Sequence, residues 1–211
     1  MQFNSTDIEQ IPRVERLKLI NGLSGIKQAN LIGTKSKNGI DNLAIFNSII
    51  HIGSSPAYLG FILRPQDEGP KGTYRNILET GSFTINHVHE SFVEKAHYTS
   101  AKLEEEVSEF ERCHLTPDYI ADFSAPFVAE SQVKIGLKYE ESIPIKINDT
   151  ILVIGKIEHI WLGENAVDKN GYLDLENLNS IGVTGLNSYY TLQKKADFPF
   201  VRVNEIPEFG K

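Results

Sequence analysis

The chain holds a single cysteine, Cys113, in 211 residues. No intramolecular disulfide is open to it, and a reducing compartment, the cytoplasm, is expected. Positive charge is also short: 21 lysines and arginines stand against 28 aspartates and glutamates, a formal charge of −7. Binding to nucleic acid or to a membrane surface rests on clustered Lys and Arg, so neither partner is expected. No apolar run nears the roughly eighteen residues of a spanning helix, and no basic-then-apolar leader follows Met1. A glycine-rich dinucleotide fingerprint and a phosphate-loop motif are missing too, since Gly69-Pro70-Lys71-Gly72 has the spacing of neither. There is no repeat of fixed period, no low-complexity tract and no visible catalytic triad.

What is present reads as strands and turns. Residues 1–20 mix charge with scattered Ile, Val and Leu around Pro12 and read as an N-terminal arm; one domain is expected over 21–195 and a tail over 196–211. Gly22 to Gly25 marks a turn. Ala29 to Lys35 reads as a strand, Asn38-Gly39 as a hairpin turn, and Asn42 to His51 as the returning strand. Ala57 to Leu63 is nearly all apolar, as in a strand buried on both faces. A helix is expected from Thr73 to Thr80, with Thr73 as N-cap and Gly81 just past its end. In the alternating stretch Ser82 to His89, Phe83, Ile85, His87 and His89 share one face. Residues 90–111 read as two helical pieces with a solvated acidic face at Glu104-Glu105-Glu106 and Glu109. A loop at 117–126 leads to strands over about 127–140 and 150–162, parted by Pro144 and Asn148-Asp149, with Ile151, Val153, Ile157, His159 and Trp161 on one face of the second. Asp168 to Gly171 is a turn and Asp174 to Leu178 one helical turn. The pattern predicts a mainly β fold, an antiparallel barrel or sandwich with peripheral helices.

Two stretches stand out within it. In Asn42-Leu43-Ala44-Ile45-Phe46-Asn47-Ser48, amides and a hydroxyl interrupt an apolar strand, and buried polar side chains need partners. In Gly69 to Asn76, Lys71, Thr73 and Arg75 sit where a helix begins, and free N–H groups with the helix dipole favour an anion there. One phosphate and one flat polar ring would satisfy both, which points to flavin mononucleotide (FMN). Taken alone, Asn47-Ser48 reads as a bulge or strand end and Lys71 and Arg75 as solvated charges. His87 and His89 have no third ligand at metal spacing, so no metal is expected. His97 and Tyr98, Cys113-His114 and Trp161 read as structural.

Asn42 to Asn47, Ser55-Pro56, Leu59-Gly60-Phe61, Lys71-Gly72-Thr73-Tyr74-Arg75-Asn76-Ile77 and Thr80 to Asn86 resemble successive blocks of the flavin reductase-like family, whose fold is the FMN-binding split barrel. Thr99-Ser100-Ala101, Val107 to Phe110 and Ala129-Glu130-Ser131 follow in the same order, so the likeness runs from about Gly25 to Tyr190. The resemblance implies an antiparallel barrel of Greek-key type and a homodimer with one FMN per subunit. It places ring and ribityl contacts on Asn42, Leu43, Ala44, Phe46, Asn47 and Ser48, and phosphate contacts on Arg64, Lys71, Thr73 and Asn76. It also implies passage of hydride or electrons from NADH or NADPH through FMN to free flavin, a redox partner protein or a small acceptor. A non-enzymatic flavin carrier or sensor is the alternative. Haem is a third, with an axial nitrogen from His51, His87, His97 or His159, but haem has no phosphate for the Lys71-Gly72-Thr73 helix start. The flavin supplies the redox chemistry, so no catalytic residue is required of the protein. This chain departs from the family at Ile45-Phe46-Asn47, where Pro-Phe-Ser is usual, at Gly72, where an acid is usual, and at Val183 and Gly185-Leu186, where an Arg and paired glycines are usual.

Overall fold

Asn4 opens the first helix through a reciprocal cap: its Oδ1 accepts from Asp7 N–H at 3.0 Å, and the Asp7 carboxylate accepts from Asn4 N–H at 2.9 Å. The computed structural model describes residues 1–66 and 69–208, and it places helices α1 (Ser5–Gln10) and α2 (Arg13–Leu23) where an arm was expected. Pro12 precedes α2, where its fixed φ and missing N–H do no harm. Neither helix buries a residue, and α2 runs through the boundary expected at residue 20. Of the tail, residues 196–208 are exposed and carry only a short turn at Val203–Glu205; residues 209–211 lie outside the described residues.

The strands are β1 (Lys27–Gln28), β2 (Asn30–Lys35), β3 (Asp41–Phe46), β4 (Ile49–Ser54) and β5 (Ala57–Leu63), then, after α3 (Gly72–Thr80), β6 (Ser82–His87). Helices α4 (Val93–Tyr98) and α5 (Glu109–Arg112) lead to β7 (Pro117–Asp118), β8 (Phe127–Val128), β9 (Val133–Ile145), β10 (Thr150–Leu162), β11 (Ile181–Thr184) and β12 (Ser188–Thr191). Seven strands form one antiparallel sheet in the order β3-β2-β6-β9-β10-β5-β4. Its two edge strands, β3 and β4, are consecutive in the chain and joined by Asn47-Ser48 alone, so the sheet curls until its edges meet at that corner. The single strand expected over Asn42 to His51 is therefore two strands on opposite edges. Ser48 makes the corner: its hydroxyl donates to the Ile62 carbonyl at 3.0 Å and accepts from Ile62 N–H at 3.2 Å, standing in for a strand partner.

The remaining departures have local causes. The Thr99 hydroxyl folds back onto the Ala96 carbonyl at 2.8 Å as α4 ends, so 99–108 is a loop and Glu104 to Glu106 lie on it, off any helix. Part of the loop expected at 117–126 pairs, β7 with β8. The strand expected over 127–140 breaks at 129–132, where the Ser131 hydroxyl meets the His87 and Val133 carbonyls at 2.8 and 2.9 Å. Pro144 lies inside β9, in a part of the strand flanked only by β10. A bulge between Ile157 and His159 splits the expected apolar face of β10. Ile151, Val153 and Ile157 pack in the barrel, whereas Trp161 joins Phe123 and Phe127.

Two cores result. Ile32, Phe61, Ile77, Phe83, Leu137 and Val153 fill the barrel, with α3 across one end through Tyr74 and Ile77. Leu31, Leu43, Val88, Phe92 and Phe110 form the second, beneath α4 and α5. Gly81 ends α3 in the left-handed region, φ 73°, as expected. Thr73 is not the N-cap: Lys71 holds that place, and the Thr73 hydroxyl accepts from an Asn42 amide one strand away. Among the described residues no helix is long and apolar enough to cross a membrane, and no three metal-ligating side chains come together.

Candidate functional site

The register fixed by the Asn38-Gly39 hairpin sets Thr34 opposite Asn42, Ile32 opposite Ala44 and Asn30 opposite Phe46. Side chains directly opposite share a face, so this face carries both apolar residues and amides. Where α3 meets it, the Asn42 amide donates to Thr34 at 3.2 Å and to Thr73 at 3.1 Å, and the Asn76 amide donates to Thr34 at 3.1 Å. The quartet ties the start of α3 to the β2–β3 hairpin. It leaves Asn76 Oδ1 buried with no partner among the described residues, an acceptor that a ligand donor or water must satisfy.

Beside this joint lies a cleft of about 850 Å³, walled by β3, the Asn47-Ser48 corner, the start of α3, the 99–109 stretch and the β11–β12 turn. That volume suits a small-molecule site. Asn42, Ala44, Phe46, Asn47, Ser48, Arg64, Lys71, Thr73 and Asn76 all line it. Leu43 does not: its side chain is fully buried in the second core. The Asn47 amide donates to the Gly185 carbonyl at 2.8 Å, tying the corner to the β11–β12 turn. Arg64 is exposed at the rim, and Lys71 N–H donates to Gln66 Oε1 at 3.3 Å. Among the described residues no side chain caps the α3 N-terminus, which borders that end of the cleft.

Several lining residues take partners that the sequence does not name. Glu109, expected on a solvated face, accepts from Leu43 N–H at 3.0 Å, and burial raises its carboxyl pKa against that hydrogen bond. His97 and Tyr189 form a pair at 2.9 Å, and burial pushes the Tyr189 phenol up. Arg75 Nη1 lies 2.9 Å from both Glu105 oxygens. Thr34, which joins the quartet without lining the cleft, was legible from the hairpin register that places it across from Asn42; the partners of Glu109, His97 and Arg75 depend on tertiary packing. Of the histidines considered for haem, His97 lines the cleft, while His51, His87 and His159 do not. Burial and the nearby Glu109 raise the Cys113 thiol, the opposite of an activated thiolate.

The arrangement fits FMN on its own terms. One end offers helix amides with Lys71, Thr73 and Arg64 for a phosphate; the other offers the β3 edge, Ala44 and the Phe46 ring for a flat polar ring system.

Residues 26–179 match the family described as flavin reductase like domain. A candidate flavin reductase with a split barrel domain from Shewanella frigidimarina is 43% identical, with a TM-score of 0.90 over 95% of this chain and 100% of that one. Nitrilotriacetate monooxygenase component B from Bacillus cereus is 23% identical, TM-score 0.82, covering 94% of this chain and 98% of its own. Flavoredoxin of Desulfovibrio vulgaris is 24% identical, TM-score 0.72, covering 83% and 92%. These last two share the fold. Matched over most of its length, with both sheet edges meeting at the Asn47-Ser48 corner, the chain belongs to the flavin reductase like family and has its split-barrel fold.

Proposed function

We propose that the protein is an FMN-binding oxidoreductase that takes hydride from NADH or NADPH and passes electrons to free flavin, a redox partner protein or a small acceptor. The observation that carries the reading is the cleft itself, which joins an uncapped helix start and the orphaned Asn76 acceptor to the half-polar face of β3. Relatives named as a monooxygenase component B and as a flavoredoxin support delivery of reducing equivalents to a partner. A homodimer in the cytoplasm completes the proposal.

Lys71, Arg64 and the first amides of α3 hold the phosphate, with the Thr73 hydroxyl beside them. Phe46 and Ala44 wall the ring, and backbone groups of β3 supply its polar contacts. Leu43 N–H is already taken by Glu109, so Leu43 serves as the apolar anchor of the strand and not as a ring donor. The Asn47 amide N–H is given to Gly185, which leaves its Oδ1 to accept a ring N–H, and Ser48 positions the corner through Ile62. FMN bound there supplies the hydride and electron acceptance, so the chain needs to bind, orient and exclude water.

Lys71→Ala combined with Thr73→Ala should weaken FMN by about a hundredfold, the loss of two charge-assisted hydrogen bonds, and leave riboflavin nearly unchanged. Titration by quenching of flavin fluorescence reads both, and equal losses would overturn the phosphate placement. Anaerobic NADH or NADPH should bleach the flavin absorption of the loaded protein; bands that persist until dithionite is added would favour the carrier alternative.

A further inference from the structure

We infer that the 99–108 strap restricts the cleft to flavins bearing one phosphate, and that Glu105 is the residue that discriminates against a second. The inference deepens the flavin reading and rests on it.

The strap is fixed at both ends. Thr99 and Phe110 are each 2% exposed, and Glu109 is tied to the edge strand through Leu43 N–H. Between these anchors, residues 99–105 and Val107 line the cleft. The strap touches down on α3 at one ion pair, Arg75 with Glu105. Arg75, in the first turn of α3, lines the same cleft as Lys71 at the helix start. A phosphate extended into a pyrophosphate would need this cation next. Glu105 already occupies it, with both carboxylate oxygens 2.9 Å from Nη1, and Glu104 lines the cleft beside it. Lys102, which also lines the cleft, balances one of these carboxylates and Arg75 the other, so a second phosphate is opposed by the hold of Glu105 on Arg75 and by the nearness of Glu104. A single phosphate is served by Lys71, Arg64 and the helix amides and makes no demand on Arg75. A second phosphate must displace Glu105 and lie against Glu104, and such like-charge opposition is how a site rejects a ligand that otherwise fits.

The test compares FMN, FAD and riboflavin on the full-length protein, by fluorescence titration at low and high salt, for wild type, Glu105→Gln and Glu105→Lys. Glu105 has a side chain 58% exposed, so these changes leave the fold intact. Wild type should hold FMN more tightly than FAD. Glu105→Gln should tighten FAD by about two- to fivefold, the scale of one exposed charge interaction, with a smaller shift for FMN and none for riboflavin. Glu105→Lys should do more, and high salt should shrink both gains. Equal affinities for FMN and FAD in wild type, or equal shifts of both in the variants, would overturn the inference and leave Glu105 a mechanical latch. Failure of wild type to take up any of the three flavins would instead overturn the flavin reading itself.

Discussion

The two faces of the β2–β3 hairpin share one backbone and have opposite characters. Odd-numbered Leu31 and Leu43 pack with Val88, Phe92 and Phe110 in a dry core, and Ile45 packs against that core while also lining the cleft. Of the even-numbered residues, Asn42, Ala44 and Phe46 line the cleft, opposite the buried Asn30, Ile32 and Thr34, so that amides and a hydroxyl alternate with apolar groups on that side. Period-two geometry lets one hairpin hold the fold with one face and present chemistry with the other. Leu43 and the cleft-lining Asn42, Ala44 and Phe46 therefore allow stability and binding to be probed on one strand.

That separation can be broken most forcibly from the dry side. Leu43→Ala should lower unfolding free energy by about 2–5 kcal/mol, the usual range for emptying a buried leucine site, while the folded fraction still binds FMN; urea titration with and without FMN reads both. On the cleft side, Thr34→Val keeps the shape, strands the buried Asn76 amide and removes one of the two acceptors of the half-buried Asn42 amide. A loss of about 1–3 kcal/mol is expected, with FMN affinity falling as the start of α3 loosens, and an unchanged FMN affinity would detach the quartet from the site. The smallest effect sharpens the comparison by pH. His87, opposite Asn30, is held neutral by burial, its pKa lowered from 6.5 to about 4. The unfolded chain takes the proton first, so this stability is complete above pH 6.5 and is lost as pH falls toward about 4. Between pH 7.5 and 5.5 the loss is about 1.4 kcal/mol, and His87→Leu should flatten the urea midpoint across that window.

Much of this was readable before any coordinates. The Asn38-Gly39 turn, the apolar run of β5, the Gly81 end of α3 and the alternation in β6 each carry their own local signal, and each stands where the sequence places it. Local signals do not say which strands are neighbours. The run from Asn42 to His51 looks continuous because both halves are apolar enough to be strands, and only the curl of the sheet shows that Asn47-Ser48 is a corner between opposite edges. Likewise Glu105 and Glu109 read as solvated helix charges because nothing near them in sequence names Arg75 or Leu43 as partners. Leu43 was grouped with its neighbours as a cofactor contact because a motif is read as a block, whereas its side chain is buried in the second core.

Edge strands invite further strands to add, and this sheet has two of them side by side in sequence. Each is blunted by a different device: the Glu109 carboxylate occupies the Leu43 N–H on β3, and β4 is kinked by a bulge between His51 and Gly53. Glu109 thus guards the sheet against unwanted self-templating as well as bordering the cleft, and a protein lacking it would be expected to turn up first in the insoluble fraction.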